Sequence, residues 1–245
     1  MEVRAAQRQS PPAVLLRLDA GGRGASIADQ VFRTLRSSIV TMRLTPATAL
    51  SEQEIAGRLK VSRQPVREAF IKLSEIGLVR VLPQRGTFVV KISAKDVADA
   101  RLVREAVECA IARRASEGIG KAAMKDLRAI LTEQRKAAND PEAFFVLDEA
   151  FHRGLASAAE CTYAWKVIED AKAQMDRVRF LSIPHATPVR HLIRQHQAIL
   201  DAVAARRAGA AEKAMQDHLR EILKSLPRLA REFPDMFESS EAKVA

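Results

Sequence analysis

Two sets of residues in this chain are of types, and at spacings, that do chemistry. The first is Ser62-Arg63-Gln64-Pro65-Val66-Arg67. Ser62 can cap a helix through its hydroxyl, and Pro65 falls in the first turn, where its missing N–H costs nothing. Arg63, Gln64 and Arg67 then sit at the solvent-facing start of that helix. A helix N-terminus with free N–H groups, two guanidinium forks and an amide reads phosphates and base edges. The second set is Asp148, His152, His196 and His218. Asp148 and His152 lie four apart, hence one turn apart on one helix face. Phe144, Phe145, Leu147, Phe151 and Leu155 turn that face inward. If His196 and His218 reached it from two further helical stretches, three imidazoles and a carboxylate would suit a divalent metal such as Zn²⁺, Ni²⁺ or Mn²⁺. Taken singly, each histidine reads first as an ordinary core or boundary residue.

The elements that must carry the first set are legible around it. Val66, Ala69, Phe70, Leu73 and Ile76 give one apolar stripe, and Gly77 is a C-terminal stop. Upstream, Ser51 and Glu54 form a capping box for a short helix that turns Ile55, Ala56 and Leu59 inward. A tight turn joins it to Ser62, giving a helix-turn-helix. Downstream, residues 78–82 and 87–90 flank a turn over 83–86 and read as a β-hairpin, a wing tipped by Arg85-Gly86. Ile27, Val31, Leu35 and Ile39 mark a first helix running to about Met42, and residues 44–50 a connecting loop or short strand. From the capping sequence Ser93-Ala94-Lys95-Asp96 onward there is little that resembles strand. Breaks near residues 118–120, 139–141, 160–161, 184–188 and 208–209 divide that region into about six helices, with Asp140-Pro141 and Thr187-Pro188 as N-cap and N1 pairs. The expected fold is mainly α: a mobile arm over 1–25, a winged helix-turn-helix over 26–93 and an all-α bundle over 94–238.

Composition agrees with this division. The 245 residues carry a net charge of +10. Residues 26–93 hold 11 Lys/Arg against 5 Asp/Glu, so most of that charge lies on the proposed reader, as phosphate binding requires. Two cysteines, Cys109 and Cys161, are far apart and in no metal spacing, which points to a reducing compartment. No uncharged apolar run approaches the ~18–20 residues of a membrane span, and no secretory signal is visible, so a cytoplasmic protein without a membrane partner is expected.

Residues 50–70, LSEQEIAGRLKVSRQPVREAF, then L-x-x-x-G-L-V from Leu73 and P-x-R-G-T-F-V from Pro83, resemble the winged helix of the GntR family of bacterial transcription regulators, over about residues 27–91. The resemblance implies that Arg63 and Arg67 are the main DNA contacts, that Ser62, Gln64 and Gly86 lie close to the backbone or groove, and that Arg36 touches phosphate. Two positions depart from the pattern. Ala47 follows Pro46 where glycine is usual, which bears on a loop conformation; Gln64 follows Arg63 where threonine is common, which suggests an altered operator.

D-x3-H from Asp148, R-Q-H-x-A-I-L-D-A-V from Arg194 and A-M-x-D-H-L from Ala214 resemble the C-terminal domain of the FadR subgroup, over about residues 94–231. That resemblance implies a divalent metal on Asp148, His152, His196 and His218, with His185 and His191 left as loop and surface residues. It also implies that Arg104 faces a ligand cavity and forks onto a carboxylate, with Arg177 and Arg179 as weaker candidates. From the residues alone, Arg104 reads as well as an exposed member of an i, i+4 pair with Glu108. The expected function is a ligand-responsive regulator, not an enzyme. It would be a homodimeric repressor released from a palindromic double-stranded DNA operator by a small carboxylate such as a sugar acid or hydroxy acid. The alternatives are an architectural DNA-binding protein whose helical domain only dimerises, and a metal-dependent hydrolase fused to a winged helix.

Overall fold

The computed structural model describes residues 16–18 and 24–239, which fall into two compact units. One runs to Ile92 and resumes at Asp235; the other is Ser93–Pro234. The helical domain expected over 94–238 therefore loses its last residues to the first unit. Most of the arm expected over 1–25, and most of the frayed end, lie outside the described residues.

The first unit contains α1 (Ile27–Val40), β1 (Ala49–Leu50), α2 (Glu52–Leu59), α3 (Arg63–Glu75), β2 (Val79–Leu82) and β3 (Gly86–Val89). Helix α1 buries Val31, Leu35 and Ile39 and packs on α3, which buries Val66, Ala69, Phe70 and Leu73. Ile27, expected in the same stripe, is instead 46% exposed, and Ala28 takes the inward place. The Ser51 hydroxyl accepts from the Glu54 N–H at 3.3 Å, and α2 ends at Lys60 in the left-handed region, which makes the turn to α3 tight. Ser62 has the extended backbone of an N-cap, but its hydroxyl makes no capping hydrogen bond. Pro65 stands at the third helical position and has no N–H to give it.

The strands form an antiparallel sheet in the order β1-β3-β2, with Leu82 opposite Gly86 at the end of the hairpin. Gly86 takes a φ of +106°, which favours glycine at the tip. A further strand-like contact closes this unit from the far end of the chain. After a short 3₁₀ turn, Pro234–Met236, residue Phe237 pairs parallel with Ile92. The Ile92 N–H donates to Met236 at 2.8 Å, and the Glu238 N–H donates to Ile92 at 2.9 Å. Both apolar side chains are buried.

The second unit is made of α4 (Ala94–Glu117), α5 (Lys121–Lys136), α6 (Pro141–Ala158), α7 (Thr162–Ala171), α8 (Ala173–His185), α9 (Val189–Ala204), α10 (Ala208–Leu219) and α11 (Glu221–Glu232). Ser93 and Asp140 cap α4 and α6 as their sequences predict. The unit has eight helices rather than about six. The extra breaks fall at Lys172 and Arg220, single residues that carry no glycine or proline signal. Two expected breaks shift: Pro184 lies inside the last turn of α8, and Pro188 rather than Thr187 caps α9. Helix α4 packs on α6, α8, α9 and α10 around a core that includes Phe151, Leu155, Ile199 and Met215. Among the described residues, no helix is long and apolar enough to cross a membrane.

Candidate DNA reader and candidate metal centre

Arg63 and Arg67 stand on the first two turns of α3 and are largely exposed, with side-chain accessibilities of 62% and 53%. Both fork onto one carboxylate, Glu52, at the start of α2. Arg67 holds it in two-pronged fashion through Nε and Nη2, each at 3.1 Å, and Arg63 Nη2 adds a third contact at 3.1 Å. The hydrogen bond from Arg67, first among its causes, lowers the Glu52 pKa, and the same contact raises that of Arg67. Glu52, Arg63, Arg67, Arg85 and Gly86 line one concave surface that joins the recognition helix to the wing. Gln64 gives its amide to Glu68 at 3.0 Å, along the same exposed helix start. Arg36 lies half-buried on α1. Glu52 went unremarked in the sequence except as part of the capping segment; its spacing to Arg63 and Arg67 acquires meaning only once the turn folds.

In the helical unit, Asp148 and His152 on α6 meet His196 on α9 and His218 on α10, with one ligand atom from each within 4.8 Å of every other. All four are buried. The Nε2 atoms of His152 and His196 approach that of His218 to 3.1 and 3.2 Å, and Asp148 Oδ1 lies 3.4 Å from His196 Nε2. Each ring is fixed from behind through Nδ1. Glu108 Oε2 accepts from His152 at 2.5 Å, Gln134 Oε1 from His196 at 2.9 Å, and Gln195 Oε1 from His218 at 3.1 Å. The amides cannot be reversed without loss, because Gln134 Nε2 donates to the Leu147 carbonyl and Gln195 Nε2 to Glu221. Phe151 stacks on His196 with ring centroids 4.4 Å apart.

These outer partners decide the tautomers. With Nδ1–H donating on all three rings, three Nε2 lone pairs point at one another beside a carboxylate. Burial, reinforced by the neighbouring charges, pushes the pKa values of His196 and His218 well below the usual imidazole range, so both rings stay neutral. Converging lone pairs and a carboxylate, with the far side of each ring hydrogen-bonded, are what a nitrogen- and oxygen-ligated divalent cation requires. The donor set fits a metal. The roles of Glu108, Gln134 and Gln195 behind the rings escaped the sequence reading, in which Glu108 figured only as the pair of Arg104: they come from α4, α5 and α9 and share no spacing with the rings they hold.

Arg104 is neither exposed nor free of Glu108. It is 2% exposed, and its Nε donates to Glu108 Oε1 at 2.5 Å. Burial opposes ionisation of Glu108, but Arg104 and His152 outweigh it and hold that carboxyl well below the usual range. The expected pair thus exists inside the protein, where it links Arg104 to His152. Arg104 Nη2 has no hydrogen-bond partner, and the side chain lines a small cavity beside the cluster. Asp148, Arg179, Ser182, His218 and Glu221 line it too, with an apolar remainder that includes Met175, Ile183 and Leu192. Arg179 is engaged by Asp176 (2.7 Å) and by Asp148 Oδ2. Arg177 is buried away from the cavity lining, and burial pushes its pKa down to about 10. His185, at the end of α8, is exposed against Phe233, and half-buried His191 approaches Glu221.

The two units correspond to two known domain models: residues 27–89 match the bacterial regulatory proteins of the gntR family, and residues 99–221 match the FCD domain. Together the matches cover well over half of the chain. The chain belongs to the GntR family. This GntR regulator is 44% identical over 213 residues to the HTH-type transcriptional repressor RspR of Escherichia coli, covering 86% of this chain and 93% of RspR. Its fold matches that of a GntR transcriptional regulator from Rhodococcus sp. RHA1 at 27% identity (TM-score 0.67; 82% of this chain, 99% of that one). It also matches the fold of E. coli McbR/YncC at 18% identity (TM-score 0.73; 85% and 99%). A winged reader followed by an FCD domain fits the FadR-type arrangement. The family's members are DNA-binding transcription regulators, not enzymes, which removes the hydrolase alternative.

Proposed function

We propose that this regulator is a cytoplasmic, homodimeric repressor that leaves a palindromic operator when a small carboxylate binds beside a divalent metal. The observation that carries this reading is the cluster itself. Three imidazoles and Asp148 converge next to a cavity lined by Arg104, which has a buried donor without a partner. Asp148, His152, His196 and His218 would hold the metal, which when bound supplies a fixed charge and an open position for a ligand oxygen. Arg104 would fork onto the carboxylate. On the DNA side, Arg63 and Arg67 would read base edges, and Ser62, Gln64, Gly86 and Arg36 would contact the backbone or groove. RspR, whose chain is similar along most of its length, is named a repressor. The two-fold symmetry of a palindrome matches a dimer. Leu102 on α4 and Tyr163 and Val167 on α7 are exposed apolar side chains that a second copy would cover.

Elemental analysis of the purified protein, alongside His196→Ala, tests the reading. About one Zn²⁺, Ni²⁺ or Mn²⁺ per chain, lost in the variant, is expected, followed by operator release on adding the right carboxylate. Metal retained by the variant would sink the ligand set. Wild-type protein still metal-free after dialysis against each ion would leave the helical unit as a dimerisation module only.

A further inference from the structure

Besides Arg104, Arg179 and Asp148, the cavity beside the cluster is lined by one more charged side chain, and it is negative. Glu221, the first residue of α11, lines the cavity with a side chain 15% exposed. Its Oε2 is spoken for three times, by Lys224 at 2.8 Å, His191 at 3.3 Å and Gln195 at 3.4 Å. Its Oε1 has no partner among the described residues. Gln195 also receives the Nδ1–H of His218, so the carboxylate that faces the cavity is tied to the cluster and cannot swing aside without disturbing it. Burial opposes its ionisation, but the hydrogen bonds from Lys224 and His191 prevail and lower its pKa, so it stays a carboxylate.

We propose that Glu221 sets the specificity of this cavity, admitting short monocarboxylates that carry a hydroxyl group and rejecting dicarboxylates. The inference rests on the reading that the cavity holds an effector carboxylate. The spare donor of Arg104 serves one carboxylate, and both terminal nitrogens of Arg179 are committed to Asp176 and Asp148. A second carboxylate on the ligand would meet Glu221 in a poorly solvated space, and such like-charge contacts discriminate strongly. A hydroxyl at the same place donates to Oε1. An ammonium there would share the cavity with two arginines and the charge of a bound divalent ion, so the hydroxyl is the better donor. Space argues for a short ligand. The cavity admits the centres of water molecules over only about 40 Å³, room for about three waters.

Calorimetric titration of the metal-loaded, full-length protein with glycerate, propionate and malate tests this. Wild-type protein should bind glycerate at least about tenfold more tightly than propionate or malate. In Glu221→Gln the side-chain amide can donate to a second carboxylate, so malate should gain at least about tenfold relative to glycerate. Glu221→Ser, a polar residue suited to a helix start, should move the same ratio, and guards against a folding defect in the first variant. An unchanged malate-to-glycerate ratio in both variants overturns the role of Glu221 while leaving the cavity an effector site. Failure of all three acids to bind wild-type protein overturns the specificity and the effector reading together.

Discussion

Each half of the chain contains a carboxylate that grips two nitrogen-bearing side chains, and the two grips are built to opposite ends. Glu52 holds Arg63 and Arg67 in the open, where water and salt screen the contact and a phosphate or a base edge can take its place. Glu108 holds Arg104 and His152 almost wholly out of water, where neither partner can leave without stranding a charge. On the proposed reading, the first arrangement would park two arginines until DNA arrives. The second would fix a guanidinium and an imidazole where a ligand set needs them. Exposure, not residue type, separates a reversible contact from a permanent one.

The largest effect should come from breaking the buried grip. Glu108→Ala should destabilise the helical unit by about 3–5 kcal/mol, read from urea unfolding through Trp165, the chain's single tryptophan, in that unit's core. A loss below about 1 kcal/mol would mean that water already reaches those charges. Arg67→Ala tests the exposed side: operator affinity at physiological salt should fall about ten- to a hundredfold, with the unfolding curve unmoved. Unaltered affinity would count heavily against α3 as the reader.

Acid should separate the halves further. His196 and His218 have folded pKa values below the ordinary imidazole value, so from about pH 6.5 downward the unfolded chain binds more protons than the folded one. Metal-free protein should therefore lose stability as the pH falls below about 6.5, by at most about 1.4 kcal/mol per pH unit for each histidine. Hydrogen bonding by Arg67 holds the folded pKa of Glu52 below the ordinary carboxylate range, so its contribution is present above that range and is lost only at lower pH. A Trp165-monitored midpoint that is flat between pH 7 and 5 would contradict the neutral, buried rings. The smallest effect belongs to Glu52→Gln. The unfolding midpoint should hold, while affinity for random DNA rises a few-fold and its salt dependence steepens by about one phosphate. Weaker binding to random DNA would show that Glu52 orients the arginines rather than restraining them.

How far the sequence discloses these sites depends on whether a feature is local. Asp148 and His152 are readable because one helical turn joins them, and the caps at Ser51, Ser93 and Asp140 because each acts within three residues. The outer partners of the histidines were not readable, since Gln134 reaches His196 across 62 positions and Glu108 reaches His152 across 44. Ser62 shows a local rule overruled by its neighbour, because Pro65 removes the N–H that the cap would use. Ala47 shows the converse. It adopts a φ of +65° where glycine is usual, and its N–H still donates to Val89 at 2.9 Å, so the loop keeps a left-handed residue despite the extra methyl group. The break at Lys172 has no glycine or proline to announce it; there a buried lysine pairs with Glu149 and Asp176.

The pairing of Ile92 with Phe237 has a consequence for how the protein is made. Synthesis runs from the N-terminus, and domains begin to fold as they emerge. The recognition helix and wing are complete once residue 90 is clear of the ribosome, yet Phe237, the backbone partner of Ile92, follows only after all the helices of the second unit. The reader must therefore wait, with one buried edge open, until the whole helical unit has been synthesised. A nonsense codon between α11 and Phe237 would leave that edge permanently unpaired, so damage beyond the helical unit would be felt in the half that binds DNA.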